Sequence, residues 1–377
     1  MSFSNMSASM AEKLKGRFSQ DDFKSTNEFD YLIFIGRFQP YHIGHKKVID
    51  EALKRSRRVV VLVGSSNSAR CYRNPFTFEE RKITIQDSYP EEVRNRILIL
   101  PLNDLSYNDQ AWIRAVQSSV NEVILKDLNQ ETPNCHLHGL NDAKIGLIGH
   151  SKDQSSYYLK LFPEWGSIDV PQRVIYNATD IRKEYFRSTP RIPKAILPGS
   201  TSNFLTQFLE SDSFRQIYEE YKYIEKYKEI WKNAPYDPVF VTVDAVVVQS
   251  GYILTVRRKA MPGKGLMALP GGFIDSSEKI EDAMIRELRE ETKIKVPVPV
   301  LRGNIKKQKV FDDPNRSARG RTITHAYLIE LPPMEDLPQV KGGSDATKAE
   351  WIPIANLESQ NFFEDHYHII MNMIGDL

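Results

Sequence analysis

Two stretches of this chain gather residues suited to phosphate chemistry. The first is Gly36-Arg37-Phe38-Gln39-Pro40-Tyr41-His42-Ile43-Gly44-His45. His42 and His45 stand three apart at the start of a predicted helix, so both can face one ligand. Gly36 closes an apolar run, where a side chain would block a phosphate. Histidines so placed can hold a triphosphate and stabilise charge that develops as pyrophosphate leaves. The second stretch runs from Gly272 to Glu278 and on through Arg286-Glu287-Leu288-Arg289-Glu290-Glu291. On a helix Glu287, Glu290 and Glu291 share a face, and Glu287 and Glu291 fall beside or within the apolar stripe of Ile280, Met284 and Leu288. Carboxylates crowded near a core repel one another and lose solvation unless a cation neutralises them. That points to a hard divalent ion such as Mg²⁺ and an activated water, as diphosphate hydrolysis requires.

The elements that must position these groups are legible around them. Tyr31–Ile35 reads as a buried parallel strand entering a glycine turn, and 45–57 as the following helix, with Val48, Ile49, Ala52 and Leu53 on one face. Strands at 59–63, 97–100 and 145–148 alternate with helices at 77–88 and 110–128. Such alternation predicts an α/β, Rossmann-like domain with a parallel sheet, binding its ligand beyond the carboxyl ends of the strands. From 198 to 231 aromatic and aliphatic residues recur at spacings of three and four, which predicts one or two amphipathic helices. Asn233-Ala234-Pro235-Tyr236-Asp237-Pro238 breaks that pattern. Beyond it a hairpin over 240–257, a helix over 276–292 and a strand over 325–330 predict an α+β domain.

A length of 377 residues favours two domains, and 41% hydrophobic with 27% charged residues suits a soluble globular chain. The net charge of +2 offers no reason to expect nucleic acid or membrane as a partner. Two cysteines, Cys71 and Cys135, make neither a disulfide framework nor a zinc cluster and suit a cytoplasmic location. The polar start, residues 1–29, reads as a flexible tail.

The first stretch resembles the His-x-Gly-His nucleotidyltransferases, and Gly-Arg-Phe-Gln-Pro narrows this to the archaeal-type nicotinamide mononucleotide (NMN) adenylyltransferases. Gly64–Arg70, Asn74–Thr77, Asp104 with Tyr107–Trp112, and Ala178-Thr179-Asp180-Ile181-Arg182 agree with it, so the resemblance covers 30 to 190. It implies ATP binding by Gly36, Arg37, Phe38, Gln39, His42, His45, Thr179 and Arg182, with His42, His45 and Arg182 catalytic. It also implies NMN binding by Asp104, Trp112 and Arg73, and direct attack of the NMN phosphate on ATP to give NAD and pyrophosphate.

The second stretch has the spacing of the Nudix box, with one departure: Lys293 stands where the family has a glycine that ends the helix. The resemblance implies a Nudix fold with Glu287, Glu290 and Glu291 as metal ligands and Glu287 or Glu291 as catalytic carboxylates. Arg286 and Glu278 read as an ion pair, and Arg316, Arg319 and Arg321 as contacts to a substrate such as ADP-ribose.

Taken together, the chain resembles the bifunctional NMN adenylyltransferase/Nudix hydrolases. The expected domains are an adenylyltransferase at 30–190, a helical connector at 191–235 and a Nudix domain at 236–377. The expected small-molecule partners are ATP, NMN and ADP-ribose, and a homo-oligomer stays open. Two alternatives remain: a Nudix domain that senses ADP-ribose without cleaving it, and a front domain that adenylylates riboflavin or pantetheine phosphate. Trp112 and Gly-Arg-Phe-Gln-Pro weigh against the latter.

Overall fold

The apolar run after Glu28 forms strand β1, Phe29–Gly36, in a computed structural model that describes residues 25–130, 140–150, 158–171 and 177–375. Most of the expected tail and Cys135 lie outside the described residues. Strands β2 (Ser56–Val63), β3 (Ile97–Pro101), β4 (Ile145–Gly149) and β5 (Gly166–Asp169) join β1 in a sheet of order β3-β2-β1-β4-β5. Every pairing in it is parallel. Alternate residues of β1 face opposite layers. Leu32 and Phe34 pack with helix α1 (Ile43–Arg55), while Tyr31 and Ile33 pack with helix α3 (Asp109–Gln130). Between them in the chain lies helix α2, Phe78–Gln86, started by reciprocal capping of Thr77 and Glu80. Chain order reverses between β1 and β4, the switch point at which such sheets bind ligands.

Helix α4 (Ala178–Tyr185) follows, capped by the Asn177 side chain accepting from Asp180 N at 3.0 Å. Helix α5 (Gly199–Phe208) packs on this unit through Phe204 and Phe208, both edge-on to Phe76.

Contacts divide the chain into two compact units, one of 1–66, 73–104 and 109–214 and the other of 67–72, 105–108 and 215–377. Most of helix α6, Asp212–Trp231, therefore belongs with the second unit, and the breaker at 233–238 lies inside it.

The second unit holds a mixed sheet. Strands β6 (Val239–Gln249) and β7 (Tyr252–Arg258) form the expected hairpin, with Ser250 and Gly251 at positive φ in its turn. Short strands β8 (Met267–Ala268) and β9 (Gly271–Phe273) pair with β7 and β6. Strands β10 (Ile305–Phe311), β11 (Arg321–Glu330) and β12 (Ala346–Pro353) complete the order β10-β11-β6-β7-β12, with only β11 and β6 parallel. Helix α7, Ile280–Thr292, buries Met284 and Leu288 against one face. Helix α8 (Val298–Gly303) follows it, and helix α9 (His366–Ile374) buries Ile369, Ile370 and Met373 in a separate apolar cluster. Among the described residues no helix is long and apolar enough to cross a membrane.

Candidate active sites

The turn after β1 is built by packing. Phe38 has a left-handed backbone, φ 52°, and its ring is buried. A Cβ on Gly36 would stand 2.9 Å from Phe38 Cζ. The glycine therefore makes room for this ring, a packing role beside the one expected from the sequence. The Phe38 and Gln39 side chains likewise point into the protein. Gln39 exchanges hydrogen bonds with the Phe76 backbone, donating to its carbonyl at 2.8 Å and accepting from its N–H at 3.0 Å.

His42 is the N-cap of α1, with its Nδ1 accepting from Gly44 N at 3.0 Å. His45 Nδ1 accepts from His42 N at 3.3 Å. With both Nδ1 atoms accepting, the neutral rings carry their hydrogens on Nε2, which makes each Nε2 a donor. A Cβ on Gly44 would meet the His42 ring at 2.8 Å, so this glycine lets the imidazole lie over the first turn. Arg182, 6% exposed, reaches the same turn from α4. It donates to Gln39 O at 2.6 Å and to Thr179 Oγ1 at 3.2 Å. Arg37 donates to Arg73 O at 3.0 Å and to the Asn74 side chain. The fold thus brings together the β1–α1 turn, the 73–77 loop and α4.

Asp104 Oδ1 accepts from Ser65 N at 3.2 Å, fixing the turn after β2. Trp112 sits in the first turn of α3, half-buried in the layer opposite Phe38 and Tyr41, with its ring 6.4 Å from that of Phe162. Arg81 was not singled out from the sequence. It is buried and donates only to backbone carbonyls, among them Arg37 O and Gly64 O. An arginine on a helix that begins with a capping box carries no local sign of burial.

In the second unit, β9 and α7 meet face to face. Glu291, 7% exposed, accepts from Gly271 N at 3.1 Å, and burial pushes its carboxyl up to about 8. Burial also raises Glu287, with Glu290 and Glu278 adding to the rise and Arg286 opposing it, and the charge of Glu287 in turn pushes Glu291 upward. A Cβ on Gly272 would fall 2.6 Å from Glu287 Oε1, so the box glycine clears space for this carboxylate. Glu290 is half-exposed on the flank. Arg286 holds Glu278 through two bonds of 2.6 and 3.0 Å, and donates to Glu287 at 2.8 Å and Phe273 O at 3.2 Å. Among the described residues no three His, Cys, Asp or Glu side chains are already gathered as a metal cage. The desolvated, mutually repelling Glu287 and Glu291 nevertheless fit a divalent cation, which removes the penalty on their charged forms.

Of the three downstream arginines, Arg319 reaches this face, its guanidinium 5.2 Å from the centre of the Phe273 ring. Arg316 is sunk in a two-bond ion pair with Asp365, both bonds 2.9 Å, with 3% of its side chain exposed. Arg321 bonds to the Asp312 carbonyl. Arg316 thus has two of its nitrogens committed to Asp365 inside the unit, whereas Arg319 stands beside the Phe273 ring.

Lys293 ends α7 with a left-handed backbone, φ 47° and ψ 30°. The neighbouring loop completes the cap: Lys341 N donates to Thr292 O at 2.8 Å and Gly343 N to Glu291 O at 3.0 Å. The departure from the box motif is absorbed without moving a carboxylate off the helix.

Fold and sites together define a Rossmann-like nucleotidyltransferase joined to a Nudix hydrolase. Residues 33–131 match the cytidylyltransferase-like family and 238–373 the NUDIX domain. A nicotinamide/nicotinic acid mononucleotide adenylyltransferase of Acinetobacter baylyi is 37% identical over 52% of this chain and 95% of its own. An ADP-ribose pyrophosphatase of Methanocaldococcus jannaschii is 35% identical over 40% of this chain and 81% of its own. The solved bifunctional NMN adenylyltransferase/ADP ribose pyrophosphatase of Francisella tularensis, complexed with AMP and a Mn ion, superposes with a TM-score of 0.83. It is 36% identical, covering 92% of this chain and 99% of that one. The chain belongs to the bifunctional NMN adenylyltransferase/ADP-ribose pyrophosphatase family, and is an enzyme that pairs a nucleotidyltransferase with a Nudix pyrophosphatase.

Proposed function

We propose that the first unit transfers adenylate from ATP to NMN, giving NAD and pyrophosphate, and that the second hydrolyses ADP-ribose to AMP and ribose 5-phosphate. The observation that carries the first half is the stacked pair His42 and His45, 3.7 Å apart with both Nε2 atoms set as donors at the switch point. They, Arg37 and Arg182 bind the triphosphate and stabilise the charge of departing pyrophosphate, while Arg73, Asp104 and Trp112 hold NMN at the carboxyl edge of the sheet. No covalent nucleophile is needed; positioning and charge stabilisation suffice.

For the second half the carrying observation is the buried pair Glu287 and Glu291 against β9. With Glu290 they would hold Mg²⁺, which supplies Lewis acidity toward the diphosphate and the attacking water. The manganese reported with the Francisella tularensis protein supports a divalent ion here. Arg286 fixes the direction of Glu287, and Arg319 over Phe273 lies close enough to this face to reach an anionic substrate.

One assay tests both halves. Purified protein with Mg²⁺ is given NMN and ATP, then ADP-ribose, and the products are separated chromatographically. NAD with pyrophosphate, and AMP with ribose 5-phosphate, are expected. Absence of NAD refutes the first assignment. Tight ADP-ribose binding without AMP refutes the second in favour of a sensing domain.

A further inference from the structure

Arg81 is among the largest side chains fully buried in this protein, at 1% exposure. Its four hydrogen bonds all run to carbonyl oxygens: Thr77 at 3.1 Å, Arg37 at 2.7 Å, Gly64 at 2.6 Å and Ser65 at 3.2 Å. A buried cation whose hydrogen bonds all go to neutral carbonyls, with Asp104 and Glu80 only near enough to act through charge, is a costly way to fill a core. Burial accordingly pushes this guanidinium down to about 10. Its position supplies a reason for keeping it. The parallel ladder between β1 and β2 ends with Gly36 opposite Val63, and Gly64 N donates back to Gly36 O at 2.8 Å. Past that point one nitrogen of Arg81 spans the next two carbonyls, Arg37 O and Gly64 O, and continues the tie between the strands.

Two residues beside these bonds have left-handed backbones without being glycine: Phe38 at φ 52° and Ser65 at φ 49°. Such conformations persist only where the surroundings hold them. Ser65 is held from both sides, its N–H by Asp104 and its carbonyl by Arg81. Three strand-end loops, after β1, β2 and β3, are thus joined through one guanidinium and one carboxylate.

We propose that Arg81 is a positioning residue for adenylyl transfer: its buried fork holds the turns after β1 and β2 in the geometry that sets Arg37, His42 and His45 against the triphosphate. The inference rests on the ATP site assigned above. A planar fork with several donors can serve four carbonyls at once, whereas an ammonium is a point charge on a flexible stem. Arg81→Lys therefore keeps the charge and loses the geometry.

The test uses the full-length chain. Arg81→Lys and wild type are compared for kcat and KM in NAD synthesis at a temperature well below melting, with calorimetry and ADP-ribose hydrolysis alongside. A displaced turn costs about 100-fold in rate. The expected result is a fall of that order in kcat, a smaller change in KM for NMN, and hydrolysis within twofold of wild type. An Arg81→Lys protein that keeps wild-type kcat, or loses it only in step with melting of the first unit, overturns the inference. Wild type that makes no NAD strikes the reaction assignment itself, and this role with it.

Discussion

The rings of His42 and His45 stack with centroids 3.7 Å apart and planes 26° from parallel. Each ring uses Nδ1 to accept a backbone N–H of the same helix start, so capping the helix and orienting the imidazoles are one structural act. Replacing His45 with alanine removes a donor while His42 still caps through its own bond to Gly44 N. NAD synthesis is expected to fall roughly 100-fold or more, with ADP-ribose hydrolysis unchanged. Steady-state assays of both reactions on one preparation check this, and near-normal synthesis in a folded variant would remove His45 from the site.

Glu291→Gln preserves shape and can still accept from Gly271 N, but it removes a charge that a divalent ion requires. Hydrolysis of ADP-ribose is expected to drop roughly 100-fold or more. NAD synthesis should persist, since its candidate residues belong to the other compact unit. Loss of both activities would mean a folding defect, which circular dichroism would reveal.

Arg316 and Arg319 separate by mechanism although they are three residues apart. Arg316→Ala leaves Asp365 buried with the Tyr107 hydroxyl but without a cation, which costs about 3–5 kcal/mol. Denaturant unfolding should show that loss directly. Arg319→Ala should raise KM for ADP-ribose and destabilise less than Arg316→Ala, because Arg319 makes no paired hydrogen bonds to the desolvated Glu364 carboxyl it faces. A stable Arg316→Ala protein with raised KM would reverse the assignment.

His366 gives the second unit a specific sensitivity to acid. Its Nδ1 accepts from Leu269 N at 3.0 Å, and burial pushes the imidazole down from 6.5 to about 3. Asp365 opposes that shift, while Arg316, Arg258 and Arg319 add to it, and Asp244 faces the ring at 3.8 Å. The unfolded chain binds this proton more readily than the folded one. Its stabilising contribution is therefore complete above pH 6.5 and is lost as pH falls from 6.5 toward 3. At pH 5 the loss is about 2 kcal/mol. His366→Gln keeps an acceptor without the titration, so melting curves at pH 7 and pH 5 should show a smaller drop for the variant. Equal drops would exclude the imidazole as the cause.

The parts of the fold legible in the sequence were those whose local pattern already contains the answer. β1, β2, α1 and α7 follow from apolar runs and helical stripes, and the histidines and glutamates from fixed spacing. β10 and β12 were not legible, because edge strands carry Lys306, Lys307, Lys309, Lys348 and Glu350 and show no apolar run. α9 is short, interrupts its apolar residues with His366, His368 and Asn372, and has no side-chain cap to announce it. The arginines were least legible of all. Arg316 meets a carboxylate 49 residues further on, and Arg81 meets carbonyls up to 44 residues earlier in the chain, so their burial is decided by tertiary structure alone.

Lys293 shows which parts of a sequence signature are negotiable. A β-carbon in the left-handed region is disfavoured by about 1–2 kcal/mol, yet the lysine sits there with the 341–343 loop pressed over it. Glycine at the end of a Nudix helix answers a geometric demand that a neighbouring loop can help to meet, whereas the glutamates answer an electrostatic one that no backbone can. Across relatives of this enzyme, helix-ending residues should therefore drift together with the length and composition of the facing loop, and the carboxylates should not drift at all while hydrolysis is kept.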